Sequence, residues 1–286
     1  MNNSLKSSRN ESIDSVAGLM IIYMVFTHVM QGFGQTHVEC YKILERFLYF
    51  FMPWFFFKAG MFFRITDNRT FIKKSAKRLL LPFLIYSLIG HLVYLVFIVP
   101  HDKALSFFTF IPMDALLRYG SIEGNLPLWF LLSLFICRVL MNYFMNIGIK
   151  SIIITFISLL AACLLHYVGV TYPFYISNCM TGLFFMSLGK TCMSYKEVDS
   201  TAFIIIAIII YCFSFVFPSI VDMHSNKLYS GLYILWFLYS FSGIIAINRI
   251  AKYGFLDKIR LNIIGRYSME IYCSHWIILM FLQVIL

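Results

Sequence analysis

Six ionisable residues sit inside or at the edge of apolar runs where charge is hard to keep: His28, His91, His275, Asp14, Lys58 and Glu270. Such groups at bilayer depth are costly, turn toward a bundle interior, and mark functional sites by default. An imidazole that titrates near neutral pH can take the proton of a weakly acidic hydroxyl, a step worth typically ~10²–10⁴-fold in rate. An ammonium can hold an anionic group, and a carboxylate can hold the ammonium. The same residues could equally pass protons along a transport path, so a catalyst and a transporter both stay open at this point. Each also has a plainer use. A membrane histidine can simply bond the next helix, Asp14 can cap its own helix, and Lys58 can snorkel to the surface.

The runs that must position these groups are each about 20 residues long, enough to cross a hydrocarbon core roughly 30 Å thick. Nine are legible, near 13–31, 44–63, 79–99, 127–145, 151–169, 177–193, 202–221, 229–248 and 263–285. The chain has 286 residues, 60% hydrophobic and only 13% charged, with a mean hydropathy of +0.81. A soluble domain is nearer half apolar and a quarter charged, and a disordered chain is more polar still, so both classes are excluded. The fold class expected is all-α, a polytopic bundle of about nine transmembrane helices forming one integral membrane domain over 1–286.

The net charge of +10 invites a nucleic-acid reading, but placement argues against a nucleic-acid partner. Basic residues gather in alternate loops, above all at Arg64, Arg69, Lys73, Lys74, Lys77 and Arg78 and again from Arg249 to Arg266. Lys42, Lys103, Arg118 and Lys227 remain for the other side. This positive-inside pattern puts the N-terminus in the cytoplasm. A polar start and the ionisable residues of the first span argue against a cleaved signal peptide. The seven cysteines form no C-x-x-C pair, so neither a disulfide framework nor a metal site is expected. At about 1.5 Å rise per residue, His28 lies roughly 22 Å from the cytoplasmic edge and His91 and His275 roughly 18 Å. Lys58 and Glu270 lie at about 8–11 Å, and Asp14 is shallower. A charged layer thus underlies a histidine layer. The segment near 100–126 is long enough for a lid or re-entrant loop.

Five stretches in order carry a family resemblance. They are Arg9-Asn-Glu-Ser-Ile-Asp14-Ser-Val-Ala17-Gly18 with its run to His28, and M-P-W-F-F-F-K-A-G-M-F-F-R from Met52 to Arg64. Then come Lys77-Arg78-Leu-Leu-Leu-Pro82-Phe, P-L-W-F-L-L-S-L-F from Pro127, and G-R-Y-S-M-E-I-Y-C-S-H-W from Gly265 to Trp276. The chain resembles acyltransferase family 3, the integral membrane O-acyltransferases, over nearly its whole length. The resemblance implies a membrane-bound, acyl-CoA-dependent O-acyltransferase. It would move an acyl group, commonly acetyl, from acetyl-CoA or another acyl-CoA to a hydroxyl of a cell-surface or lipid-linked glycan. No tightly bound cofactor is implied, acyl-CoA being a co-substrate. The location implied is the cytoplasmic (inner) membrane, with the lipid bilayer as surroundings. His28 and His275 match the family's histidines and are the expected catalytic pair, and Arg78 matches its third-span arginine.

The chain departs from the family in two respects. Arg or Lys usually stands eleven residues before the first histidine, where this chain has Ala17. Eleven residues return to within about 20° of the same helix face, so that cation would share a cavity with His28. Lys58, at similar depth on the next helix, is the expected substitute. Members usually have ten spans, so the last transmembrane helix is expected to be lacking. The expected substrate-binding set is Asp14, Lys58, Arg64, Lys74, Lys77, Arg78 and Glu270, with the CoA phosphates near the cations of residues 64–78. An exporter or flippase of a glycan or lipid-linked sugar is the alternative, and an inactive paralogue is a further one.

Overall fold

A computed structural model describes residues 10–99, 111–169 and 174–285. Helix α1 spans Glu11–Gly32. Its N-terminus is built as the sequence dictates: the Asn10 side chain accepts the Ile13 N–H, and Glu11 and Asp14 fill the first turn. Then follow α2 (Glu39–Leu48), α3 (Phe51–Met61), α4 (Asn68–Phe97), α5 (Ile111–Tyr119) and α6 (Leu126–Asn146). Helices α7 (Ser151–Tyr167), α8 (Phe174–Cys192) and α9 (Thr201–Val216) come next. An antiparallel hairpin of β1 (Ile220–Asp222) and β2 (Lys227–Ser230) leads to α10 (Tyr233–Ala251), short α11 (Leu261–Arg266) and α12 (Ser268–Ile285).

Among the described residues, five segments are long and apolar enough to cross a membrane: α1, α4, α6, α10 and α12. The other expected spans fall on α3, α7, α8 and α9, which are shorter or less apolar. The expected span at 44–63 is not one helix. A continuous helix would drive the Pro53 ring into the carbonyl of Tyr49, and the chain breaks there, leaving Pro53 in the first turn of α3 where no N–H is missed. Upstream, α2 is amphipathic, burying Tyr41 while exposing Ile43, Leu44 and Phe47. Pro82 meets the same difficulty differently. A π-helical stretch, Ala76–Leu80, precedes it inside α4, and the helix continues. The stretch expected as a lid falls partly outside the described residues. Its end is not a loose loop, because fully buried Asn125 donates to the carbonyls of Tyr86 and Cys273.

Exposed apolar stripes identify the lipid face. On α4, Leu84, Leu88, Leu92 and Val96 recur every fourth residue and are 46–62% exposed, a pattern that water would not tolerate but lipid favours. Inside, polar residues bond between helices: Ser133 donates to Asn178 at 2.6 Å, and Thr155 meets Ser187 at 3.0 Å. Helix α1 is the central element, packed on α10, α11 and α12. Its closest crossing pairs Gly18 with Gly265, where a side chain on either would run into the backbone of the other helix. That contact sets the height of α12 against α1, and so of His275 against His28.

Candidate active site

His28 and His275 meet across this crossing. Their rings lie nearly parallel, centroids 5.0 Å apart, and His28 Nδ1 is 2.8 Å from His275 Nε2. The third partner decides where the protons are. His275 Nδ1 lies 2.7 Å from the carbonyl oxygen of Tyr272, which can only accept. His275 therefore carries its hydrogen on Nδ1 and presents a lone pair at Nε2, and His28 must donate from Nδ1. The remaining nitrogen of His28, Nε2, is then the basic one. The Tyr272 hydroxyl donates to the carbonyl of Pro127 and ties α12 to the start of α6. Trp276 sets its ring edge-on to His28 at 5.3 Å.

His28 lines a cavity of about 350 Å³ at the end of the bundle away from the basic segment 64–78. Its walls come from the last turns of α1, from α2, from the start of α3, from residues 126–129, from the hairpin and from α12. Aromatic rings dominate: Tyr23, Tyr41, Tyr229, Tyr272, Trp129 and Trp276 all contribute. Sequence reasoning missed two wall residues. Glu45 stands one turn along α2 from Tyr41, whose hydroxyl receives the Gln31 amide at 3.4 Å. His224, in the hairpin turn, stacks on Trp129 with centroids 5.2 Å apart and donates from Nε2 to the Tyr119 carbonyl at 3.2 Å. Burial holds His224 below the ordinary imidazole value, against the opposing pull of Asp222 and the Tyr119 carbonyl. The signal for Glu45 was an i,i+4 pair, Tyr41 and Glu45, on one helix face, with Glu45 a carboxylate just inside the expected span at 44–63. The signal for His224 was the turn sequence Asp222 to Asn226.

The other expected site residues lie elsewhere. His91 is buried on α4, its Nδ1 donating to the carbonyl of Glu123 at 3.0 Å, and it does not line the cavity. The expected histidine layer thus brings two of its three members together. Lys58 Nζ lies 4.0 Å from the Asp14 carboxylate and 5.4 Å from the Trp54 ring. Arg64, Lys74, Lys77 and Arg78 are exposed at the basic end. Sequence reasoning passed over Arg138, which lays its guanidinium over Phe63 and Phe71 beside Arg78. Glu270 is exposed on the first turn of α12. Between the charged layer and His28, the α1 residues Val16, Ala17, Met20 and Ile21 are fully buried, as is Trp54, whose Nε1 donates to Asn248 at 2.8 Å. A second, smaller hollow of about 190 Å³ lies at the basic end, edged by Asn248, Arg249 and Lys252.

The arrangement is a base with a fixed tautomer at the floor of an aromatic cavity. The chain matches a family pattern described as an acyltransferase domain over residues 10–286. No curated protein and no solved structure matches the chain significantly.

Proposed function

The chain belongs to acyltransferase family 3, and from that premise we propose that it transfers an acyl group from acyl-CoA to a glycan hydroxyl, with His28 as general base. The glycan, at the cell surface or linked to lipid, occupies the cavity at His28. Acyl-CoA approaches from the opposite, basic end, in a cytoplasmic membrane that the chain crosses nine times. One observation carries this reading: the hydrogen-bonded order His28–His275–Tyr272 carbonyl leaves a lone pair on the cavity-lining histidine.

The steps follow from that order. His28 Nε2 takes the proton of the sugar hydroxyl as its oxygen attacks the thioester carbonyl. The imidazolium so formed keeps its Nδ1–H on His275 Nε2, which spreads the new charge. The C–S bond then breaks, and the departing thiolate recovers the proton from His28 Nε2, giving ester and free thiol. The role of His275 is to position and stabilise His28. Lys58, paired with Asp14, supplies near the donor path the cation that Ala17 lacks. An exporter would need a passage wide enough for a whole sugar, and the fully buried layer of α1 speaks against one.

The deciding experiment is mass spectrometry of surface glycans from hosts carrying the wild-type chain, none, or His28→Ala. Acyl esters should be present only with the wild type, at matched protein in the membrane. Undiminished ester in His28→Ala would remove His28 from the mechanism.

A further inference from the structure

The cavity's charge says something about the acceptor beyond its being a glycan, granted the proposal that the acceptor sits there. Among the described residues, the charged side chains lining it are Glu45 and Asp222, and neither Lys nor Arg does. Of the described cations at the same end, Lys42 is paired with Glu39 and Arg118 with Asp114, each at 2.8 Å, exposed Lys227 lies over the Tyr229 ring, and Arg46, beside Glu45 on α2, is exposed and outside the lining. The two acids differ in their commitments. Asp222 holds the hairpin turn, accepting from the Ser225 hydroxyl at 2.6 Å and from the N–H groups of His224 and Ser225. Glu45 lines the cavity from α2, and its carboxylate oxygens have lone pairs to offer a ligand.

We propose that the sugar acylated in this cavity carries no negative charge, and that Glu45 is the residue that enforces this. A carboxylate accepts hydrogen bonds from sugar hydroxyls or from an ammonium, and it repels another carboxylate or a phosphate held at short range in a poorly solvated site. The flat faces of the surrounding tyrosine and tryptophan rings suit the apolar faces of a neutral pyranose equally well. Size tightens the argument. At about 350 Å³ the cavity is at the low end for ligand sites, so an anionic group on the reacting sugar has little room to sit away from Glu45. The acceptor class is a neutral or amino sugar, as opposed to a uronate or a sugar phosphate.

Two cavity tryptophans, Trp129 and Trp276, give a readout that does not depend on turnover. The full-length protein in detergent is titrated with trimers of glucosamine, N-acetylglucosamine and galacturonate, which are cationic, neutral and anionic, and fluorescence quenching is followed. The first two should reach half-saturation at concentrations at least tenfold below the galacturonate trimer. Glu45→Gln should narrow that gap and Glu45→Lys should reverse it. Equal or better binding of the galacturonate trimer overturns the proposal, as does an unchanged order in Glu45→Lys or no quenching by any trimer. Acyl transfer from acetyl-CoA is assayed on the same trimers. Charge-ranked binding without ester in any arm retains the charge rule and removes the acyltransferase reading; ester on the galacturonate trimer does the reverse.

Discussion

A pair of imidazoles in contact has several ways to share two hydrogens, and only a fixed third partner selects one. Here the selector is a backbone carbonyl, that of Tyr272, three residues before His275 on the same helix. Because the helix itself supplies the acceptor, the tautomer of His275 does not depend on solvent or on substrate. The consequence can be tested at the side chain. His275→Ala leaves His28 Nδ1–H without an acceptor and frees the ring to carry its hydrogen on the other nitrogen, so acyl transfer should fall by about 10²-fold or more. His275→Gln keeps an acceptor oxygen in reach and should recover a large part of that loss. Steady-state rates of the two variants, at equal folded amounts, check this, and equal losses would show that His275 only packs. Both histidines were legible in the sequence, since an ionisable group deep in an apolar run has few reasons to be there. Their hydrogen order was not, because it hangs on a main-chain oxygen.

The same division holds for the elements. Long apolar helices announce themselves, and α1, α4, α6, α10 and α12 lie where the runs of residues place them. What the runs hide are interruptions. The break before α3 follows from one proline, and the hairpin at 220–230 sits between two stretches apolar enough to be read as continuous spans. Both irregularities face the cavity, so the two wall residues that hydropathy missed, Glu45 and His224, come from them. The hairpin is firmly held. Asn178 donates to the His224 carbonyl at 3.2 Å, and Tyr233 donates to Asn226 at 2.6 Å. Asn226 takes the left-handed conformation that closes the turn, φ 53°. Its acid sensitivity follows from His224, which is held below its ordinary value of 6.5. Above that value both the closed and the opened hairpin carry neutral His224, and stability does not depend on it. As pH falls below it, the opened form takes a proton that the closed form resists, so the closed form loses ground. Hydrogen exchange over 220–230, corrected for intrinsic rates, should therefore quicken from pH 7.5 to pH 5. In His224→Phe, which keeps a ring on Trp129 but cannot titrate, the dependence should flatten. A variant as acid-sensitive as the wild type would place the titrating group elsewhere.

At the scale of the molecule, the sites proposed for the two reagents lie apart. The cavity opens at one end, the cations from Arg64 to Arg78 stand at the other, and a buried layer from Val16 to Ile21 with Trp54 separates them. A thioester that reaches His28 must part this layer, and the Asp14–Lys58 pair stands at its lower edge. CoA phosphates are multiply charged and cross lipid poorly, so the proposed reaction must be sided. In sealed inside-out vesicles, acyl-CoA added to the medium meets the basic end and should support acylation of enclosed acceptor; in right-side-out vesicles it should not. Lys58→Met adds the residue-level half of the test. Removing one member of a largely buried ion pair costs about 3–5 kcal/mol, so some loss of folded protein is expected and the comparison must be made per folded molecule. Per molecule, a lost charge-assisted contact to the donor, about 1.5–3 kcal/mol, should raise KM for acyl-CoA by roughly tenfold or more while the acceptor's KM stays within about twofold. A merely structural pair would shift both constants together or neither. Transfer of equal rate in vesicles of both orientations would mean that the donor reaches His28 by the cavity mouth, and the cytosolic route past Lys58 would have to be given up.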